Sequence, residues 1–259
     1  MPYTDEHYKP DTSAEYFVSN ILPLCNGPSV TLRLQPSNKE YVVSKTLLCA
    51  ESPVFSAMFN GNFQESQQQE VTIEEMKDIV SVLNFQAFVQ WLYQRTIQFD
   101  IEDPEKDISA AMELARLGDM YKIHRLEQDT AYYIRQILLS DLDPDEDEPA
   151  TWRFPGANTV YLNHDHIVSA TLLPPGNPVR TLLVEACVDG FLRVPNHKFS
   201  KEIIEYPSFG VEILQVVGRL VHEPRDADEM FYFADPISNI LLRIGRDCRL
   251  TYEDGKPVE

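Results

Sequence analysis

A chain of 259 residues has room to bury a sizeable core, as one large domain or two small ones. Its 41 acidic residues outnumber 22 basic ones, and the net charge of −19 leaves too few cations for a phosphate-binding face. The same surplus repels anionic membranes, and no run of about eighteen apolar residues is present to span one. Nucleic acid and membrane are therefore not expected partners.

In chain order, residues 1–12 are expected to lack order. Residues 13–24 place Tyr16 or Phe17, Val18, Ile21 and Leu22 on one helical side and predict a short helix ending at Pro23. Val30–Leu34 alternates as a half-buried strand, residues 35–39 turn, and Glu40–Val43 returns as its hairpin partner. Ser44 is a helix cap ahead of Leu47, Leu48 and Ala50; Ser52-Pro53 starts a second helix with serine as cap and proline where no N–H is needed. Phe55, Met58 and Phe59 give that helix an aromatic side, and Asn60-Gly61 predicts a left-handed end. A polar loop through Gln67–Gln69 leads to a strand at Val71–Ile73. Residues 76–94 read as helix with a break near Asn84, and Thr96–Phe99 as a last strand. Asp103-Pro104 opens a helix whose buried stripe runs from Ile108 to Leu117 and which Gly118 closes; residues 123–139 form another. A small mixed sheet flanked by helical hairpins results, an α+β fold.

Residues 141–149 pack acids between prolines and read as a solvated linker. A calcium loop is not expected there, because Glu146 occupies the glycine position and Trp152 that of the bidentate Glu. Residues 150–222 read as a mainly helical region. Asn177-Pro178 starts one helix, and a second over Pro207–Val221 has Val211, Leu214, Val217 and Gly218 on its apolar side. In the tail, 223–259, Ile237–Ile244 is expected as helix and the last residues as frayed.

Four segments carry a family resemblance. Val43, Ser44, Lys45, Leu48, Ser52 and Phe55 form the first; Phe63, Glu65 and Ser66 the second; Trp91-Leu92-Tyr93 the third; residues 114–123, LARLGDMYKI, the fourth. Together they resemble the BTB/POZ domain, particularly its fungal members, over residues 28–140, leaving 1–27 as a leading segment. The family often has Asp before its first strand and His at the start of the first of these helices, where this chain has Ser29 and Ser44. The resemblance implies a homodimer with Phe17, Ile21, Leu22, Lys45 and Leu48 near the contact; the alternative is a leading helix docked on its own domain. Phe63-Gln64-Glu65 matches in position the apolar-x-acid motif that some BTB domains present to the cullin-3 scaffold of ubiquitin ligases. Against that stands a Phe63 that closes the domain's own core.

The chain has no GxGxxG, P-loop, GxSxG or HExxH sequence, so neither catalytic nor cofactor-binding residues are assigned. His164-Asp165-His166 lacks further ligands nearby and is not read as a metal site. Cysteines 25, 49, 187 and 248 lie far apart without a CxxC pair, and the first ten residues carry charge rather than an apolar run, so an intracellular, reduced setting is expected. What remains is a non-enzymatic, cofactor-free protein-binding chain. Two roles are open to it: a substrate adaptor of a cullin ligase, or a dimeric scaffold in a regulatory or transcriptional complex without ligase function.

Overall fold

The computed structural model describes residues 10, 13–140, 154–220, 231–244, 252–253 and 256–257. The acidic segment 141–149, nearly all of 1–12 and much of the tail lie outside them. Two compact units emerge, Met1–Ile134 with Asn177–Val179, and Arg135–Gly176 with Arg180–Glu259.

The first unit is built on a three-stranded sheet. Strand β1 (Ser29–Gln35) pairs antiparallel with β2 (Lys39–Ser44) and parallel with β3 (Glu70–Glu74), in the order β2-β1-β3. Alternation in β1 buries Val30, Leu32 and Leu34 on one face. On the other, Arg33 bridges both neighbours, 2.8 Å from Glu40 and 2.9 Å from Glu70. A parallel return needs a crossover. After the leading segments α1 (Ala14–Tyr16) and α2 (Leu22–Cys25), helices α3 (Lys45–Glu51), α4 (Pro53–Asn60) and α5 (Gln64–Gln68) supply it.

Both predicted serine caps form, and each hydroxyl has a second task. Ser44 Oγ accepts from the Leu47 N–H at 3.3 Å and donates to the Leu24 carbonyl at 2.6 Å. Ser52 Oγ accepts from the Phe55 N–H at 3.1 Å and donates to the Tyr121 carbonyl at 2.6 Å. The left-handed end expected at Asn60-Gly61 is absent, since Gly61 is extended with φ −80°. Glycine is needed there for another reason: a Cβ would run into the Ala57 carbonyl oxygen and the Phe63 ring. The left-handed residue is Gln69, φ 54°, and it ends α5, where a polar loop was expected.

The leading helix continues past Pro23. After α1 (Ala14–Tyr16) a single π turn, Phe17–Ile21, lets the Leu22 N–H reach the Phe17 carbonyl, and α2 (Leu22–Cys25) follows. Pro23 sits in the opening turn of α2, where its missing N–H is harmless. Helix α6 (Val82–Gln94) begins later than expected, and Asn84 is no break. Ser81 Oγ accepts from the Asn84 N–H while Asn84 Oδ1 accepts from the Ser81 N–H, a reciprocal cap. Residues 96–99 pair with no strand among the described residues; Phe99 is instead buried, edge-on to Tyr133 at 5.9 Å. Gly118 lies inside α7 (Pro104–Tyr121), which ends at Lys122, φ 53°, before α8 (His124–Leu139).

In the second unit a 3-10 turn (Ala157–Thr159) precedes α9 (His164–Thr171), α10 (Pro178–Arg193), α11 (Ser200–Glu205) and α12 (Pro207–Leu220). Helix α12 is apolar on two sides. Phe209, Gly210, Ile213 and Val216 are buried, while the expected stripe of Val211 and Leu214 is exposed. A Cβ at Gly210 would stand 3.0 Å from Ile203, so glycine permits the close approach to α11 on the buried side. The helix expected at Ile237–Ile244 is a hairpin of β4 (Phe231–Ala234) with β5 (Leu241–Ile244). Asp235 builds its turn, accepting from the Ser238 N–H at 3.0 Å and donating its own N–H to the Ile240 carbonyl at 2.8 Å, with Asn239 left-handed. Strands β6 (Tyr252–Glu253) and β7 (Lys256–Pro257) also pair.

The two neighbouring histidines separate in α9. His166 reciprocates with Asn163 as the helix cap, and His164 Nδ1 lies 2.9 Å from Glu202 Oε1. The hydrogen bond to Glu202 raises the His164 pKa above its ordinary 6.5. A raised folded-state pKa means stabilisation that is full below the unfolded value and lost as pH rises through the folded one. Urea midpoints should therefore fall across that window in the parent, with a smaller fall in His164→Ala; identical pH profiles would rule the contribution out.

Candidate interaction surface

Phe63 follows the tight exit of α4 at Gly61 and precedes the first turn of α5. Its side chain is 58% exposed, so it does not close the core. Its backbone is held: the Phe63 carbonyl accepts from the Ser66 hydroxyl at 2.7 Å and the Ser66 N–H at 3.2 Å. Glu65 stands in the first turn of α5, half-buried, with its carbonyl accepting from the Gln69 N–H at 2.8 Å. An aromatic anchor and a carboxylate thus share one short, hydrogen-bonded segment, a form suited to an apolar pocket with a polar rim.

A second apolar face lies on the leading helix. Phe17 and Leu22 are 39% and 42% exposed, with Val18 beside them. The helix is docked on its own unit through buried Ile21 and through Tyr16, whose ring lies 4.7 Å beneath the Arg125 guanidinium. Ile21 and Leu48, both expected near a partner subunit, are in the chain's own core. Lys45 is tied inward, its Nζ donating to the Phe59 carbonyl at 2.8 Å. Spacing identifies an apolar stripe but not which neighbour covers it, and the π turn rotates Ile21 inward relative to an unbroken helix. At Ser44 the backbone N–H donates to the Tyr93 hydroxyl at 2.8 Å.

One network escaped the sequence reading. Arg95, buried at the left-handed end of α6, pairs with Glu51 and lies 4.5 Å over the Trp91 ring. The Trp91 indole N–H in turn donates to Asp129 Oδ2 at 2.6 Å. Trp91 and Arg95 stand four residues apart, but Glu51 and Asp129 lie 44 and 38 residues from their partners, where no local spacing reveals them.

Reactive chemistry is subdued. Among the described residues no three His, Cys, Asp or Glu side chains gather to hold a metal ion. Burial pushes the Cys187 thiol up to about 12 and raises that of Cys49, which keeps both as thiols. Cys248 lies outside the described residues. No helix among the described residues is long and apolar enough to cross a membrane.

Residues 25–138 match the model of the BTB/POZ domain. These residues form a BTB/POZ domain, a small mixed sheet with helices in an α+β fold followed by a helical C-terminal region, and such domains are protein–protein interaction modules. No curated protein matches the chain.

Proposed function

We propose that the chain is a homodimeric adaptor that docks a cullin-3 scaffold through Phe63 and Glu65, while its second unit selects the protein delivered. The observation that carries this reading is the exposed Phe63 ring on a hydrogen-bonded turn, a large apolar group that gains most from a partner's pocket. Glu65, one turn position away, supplies the charged rim that orients such an encounter. The dimer contact is assigned to Phe17, Val18 and Leu22, the exposed face of the leading helix. That face is independent of Phe63, and on its own it supports the second reading, a dimeric scaffold in a regulatory or transcriptional complex without ligase function.

Light scattering coupled to size exclusion tests both parts, on the chain at micromolar concentration, alone and mixed with a cullin-3 N-terminal domain. Alone, the chain should run at twice its 29.7 kDa subunit mass. Mixed, it should carry the cullin, and Phe63→Ala with Glu65→Ala should weaken capture about 30-fold or more, as loss of an interface hot spot does. Both substituted side chains lie outside the core, so the melting temperature should hold. A single-subunit mass removes the dimer; a parent that captures no cullin removes the ligase role.

A further inference from the structure

The second unit contains a cavity of about 300 Å³. Phe154, Val160, Val194 and Phe199 line it, and Phe154 and Val160 remain exposed as large apolar side chains at the surface. Gly156 and Gly190 line it too. Gly156 adopts φ +80°, and its N–H donates to Asp189 Oδ2 at 2.5 Å, which fixes the turn. Gly190 lies within α10, where alanine favours the helix more. A Cβ at Gly190 would stand 3.5 Å from His197 Cβ and 3.6 Å from Gly156 Cα, ordinary contacts. Alanine would fit, so glycine here keeps space open at the expense of helix propensity.

We infer that this cavity takes one bulky apolar side chain, aromatic or branched, from a partner polypeptide, with that residue's main-chain carbonyl accepting a hydrogen bond from His197. The inference deepens the reading of the chain as a protein-binding adaptor and rests on it.

The size is the first reason. Small-molecule pockets span roughly 300–1,000 Å³, and this one is at the bottom of that range, enough for one large side chain and its peptide group. The polar groups are the second. Lys198 Nζ donates to the Thr159 carbonyl at 2.9 Å and the Val160 carbonyl at 3.1 Å, so its charge is engaged with the protein rather than held out for a phosphate. His197 differs. Its Nδ1 accepts from the Phe199 N–H at 3.3 Å, which leaves the ring proton on Nε2 and makes that nitrogen a donor. Burial lowers the His197 pKa and favours the neutral ring, a donor matched to an amide carbonyl. Phe191 packs edge-on against the ring, centroids 5.6 Å apart, and holds its plane. Apolar side chains over much of the wall, with a neutral imidazole donor beside a polar edge of Thr159, Asn196 and Lys198, describe a site for a hydrophobic residue within a peptide.

The test is an NMR titration of the full chain with N-acetyl-phenylalanine methylamide, taking N-acetyl-glycine methylamide as control. Saturable shifts should centre on Gly156, Gly190, His197 and Phe199, and the glycine probe should bind about tenfold more weakly or worse. Gly190→Ala, which leaves neighbours at contact distance, should weaken the phenylalanine probe about tenfold by filling space. Phe154→Ala at the exposed edge should weaken it several-fold, and unchanged spectra elsewhere show that each variant is folded. No saturable shift, an equal response to both probes, or binding indifferent to Gly190→Ala would overturn the assignment. Cullin capture by the same preparation keeps the readings apart: capture without probe binding removes the cavity assignment alone, and probe binding without capture removes the ligase role alone.

Discussion

Phe55→Ala should lower the stability of the BTB/POZ domain by about 3–5 kcal/mol. Phe55 is fully buried, stacked on Tyr121 at 4.4 Å and flanked by Phe59 and Phe88, each 6.4 Å away. These rings come from α4, α6 and α7, so one truncation opens a void where three helices meet. The void cannot readily collapse, because Ser52 fixes the start of α4 to the Tyr121 carbonyl. For a domain of this size the loss corresponds to roughly 20 °C in Tm. Phe55→Leu, which keeps much of the volume, should lose far less. Thermal melts followed by circular dichroism decide it; a fall of only about 5 °C in the alanine variant would mean that the ring stack carries little.

Glu51→Ala is expected to be nearly as harmful, and for a different reason. Arg95 is buried, and among the described residues its Nε and Nη1 have no hydrogen-bond partner, so the pair with Glu51 is its main compensation. Stripping one partner from a buried ion pair costs about 3–5 kcal/mol, because the other charge stays in a poorly solvating site. Stacking on Trp91 offsets part of this, since the ring face attracts the guanidinium. The informative variant is the double one. Glu51→Ala with Arg95→Met removes the stranded charge and keeps an apolar stem over the indole, so most of the lost stability should return. Urea midpoints for the single and double variants measure this; a double variant no more stable than Glu51→Ala sinks the argument.

Local chemistry in the sequence accounts for much of the first unit. The alternation of Val30, Leu32 and Leu34 gives the strand and its buried face, and Ser44 and Ser52-Pro53 give two helix starts. Ambiguity begins where an element has two apolar sides. Val211 and Leu214 have the same spacing as Ile213 and Val216, and the close approach that Gly210 permits to Ile203 is on the buried side. Short apolar runs are also ambiguous between periods: Leu241–Ile244 suits helix or strand, and the turn built by Asp235 settles it. At the surface, position alone nominates Phe63 and Glu65, while the exposure of the ring depends on how Gly61 turns the chain. The leading helix shows the same limit, because the π turn decides which of Ile21 and Leu22 faces inward. Pairings such as Arg95 with Glu51 or His197 with Phe191 depend on folding and leave no local signature.

The two-way hydroxyl of Ser52 restricts what evolution can place there. Asparagine and aspartate rank with serine as ordinary helix starters, yet a carboxylate would turn a second acceptor toward the Tyr121 carbonyl, and asparagine, whose amide N–H could donate there, is a larger side chain than this fully enclosed site holds. Threonine keeps that proton but must find space for a methyl group in a fully enclosed site. A position that looks freely exchangeable in one dimension is thus nearly frozen in three.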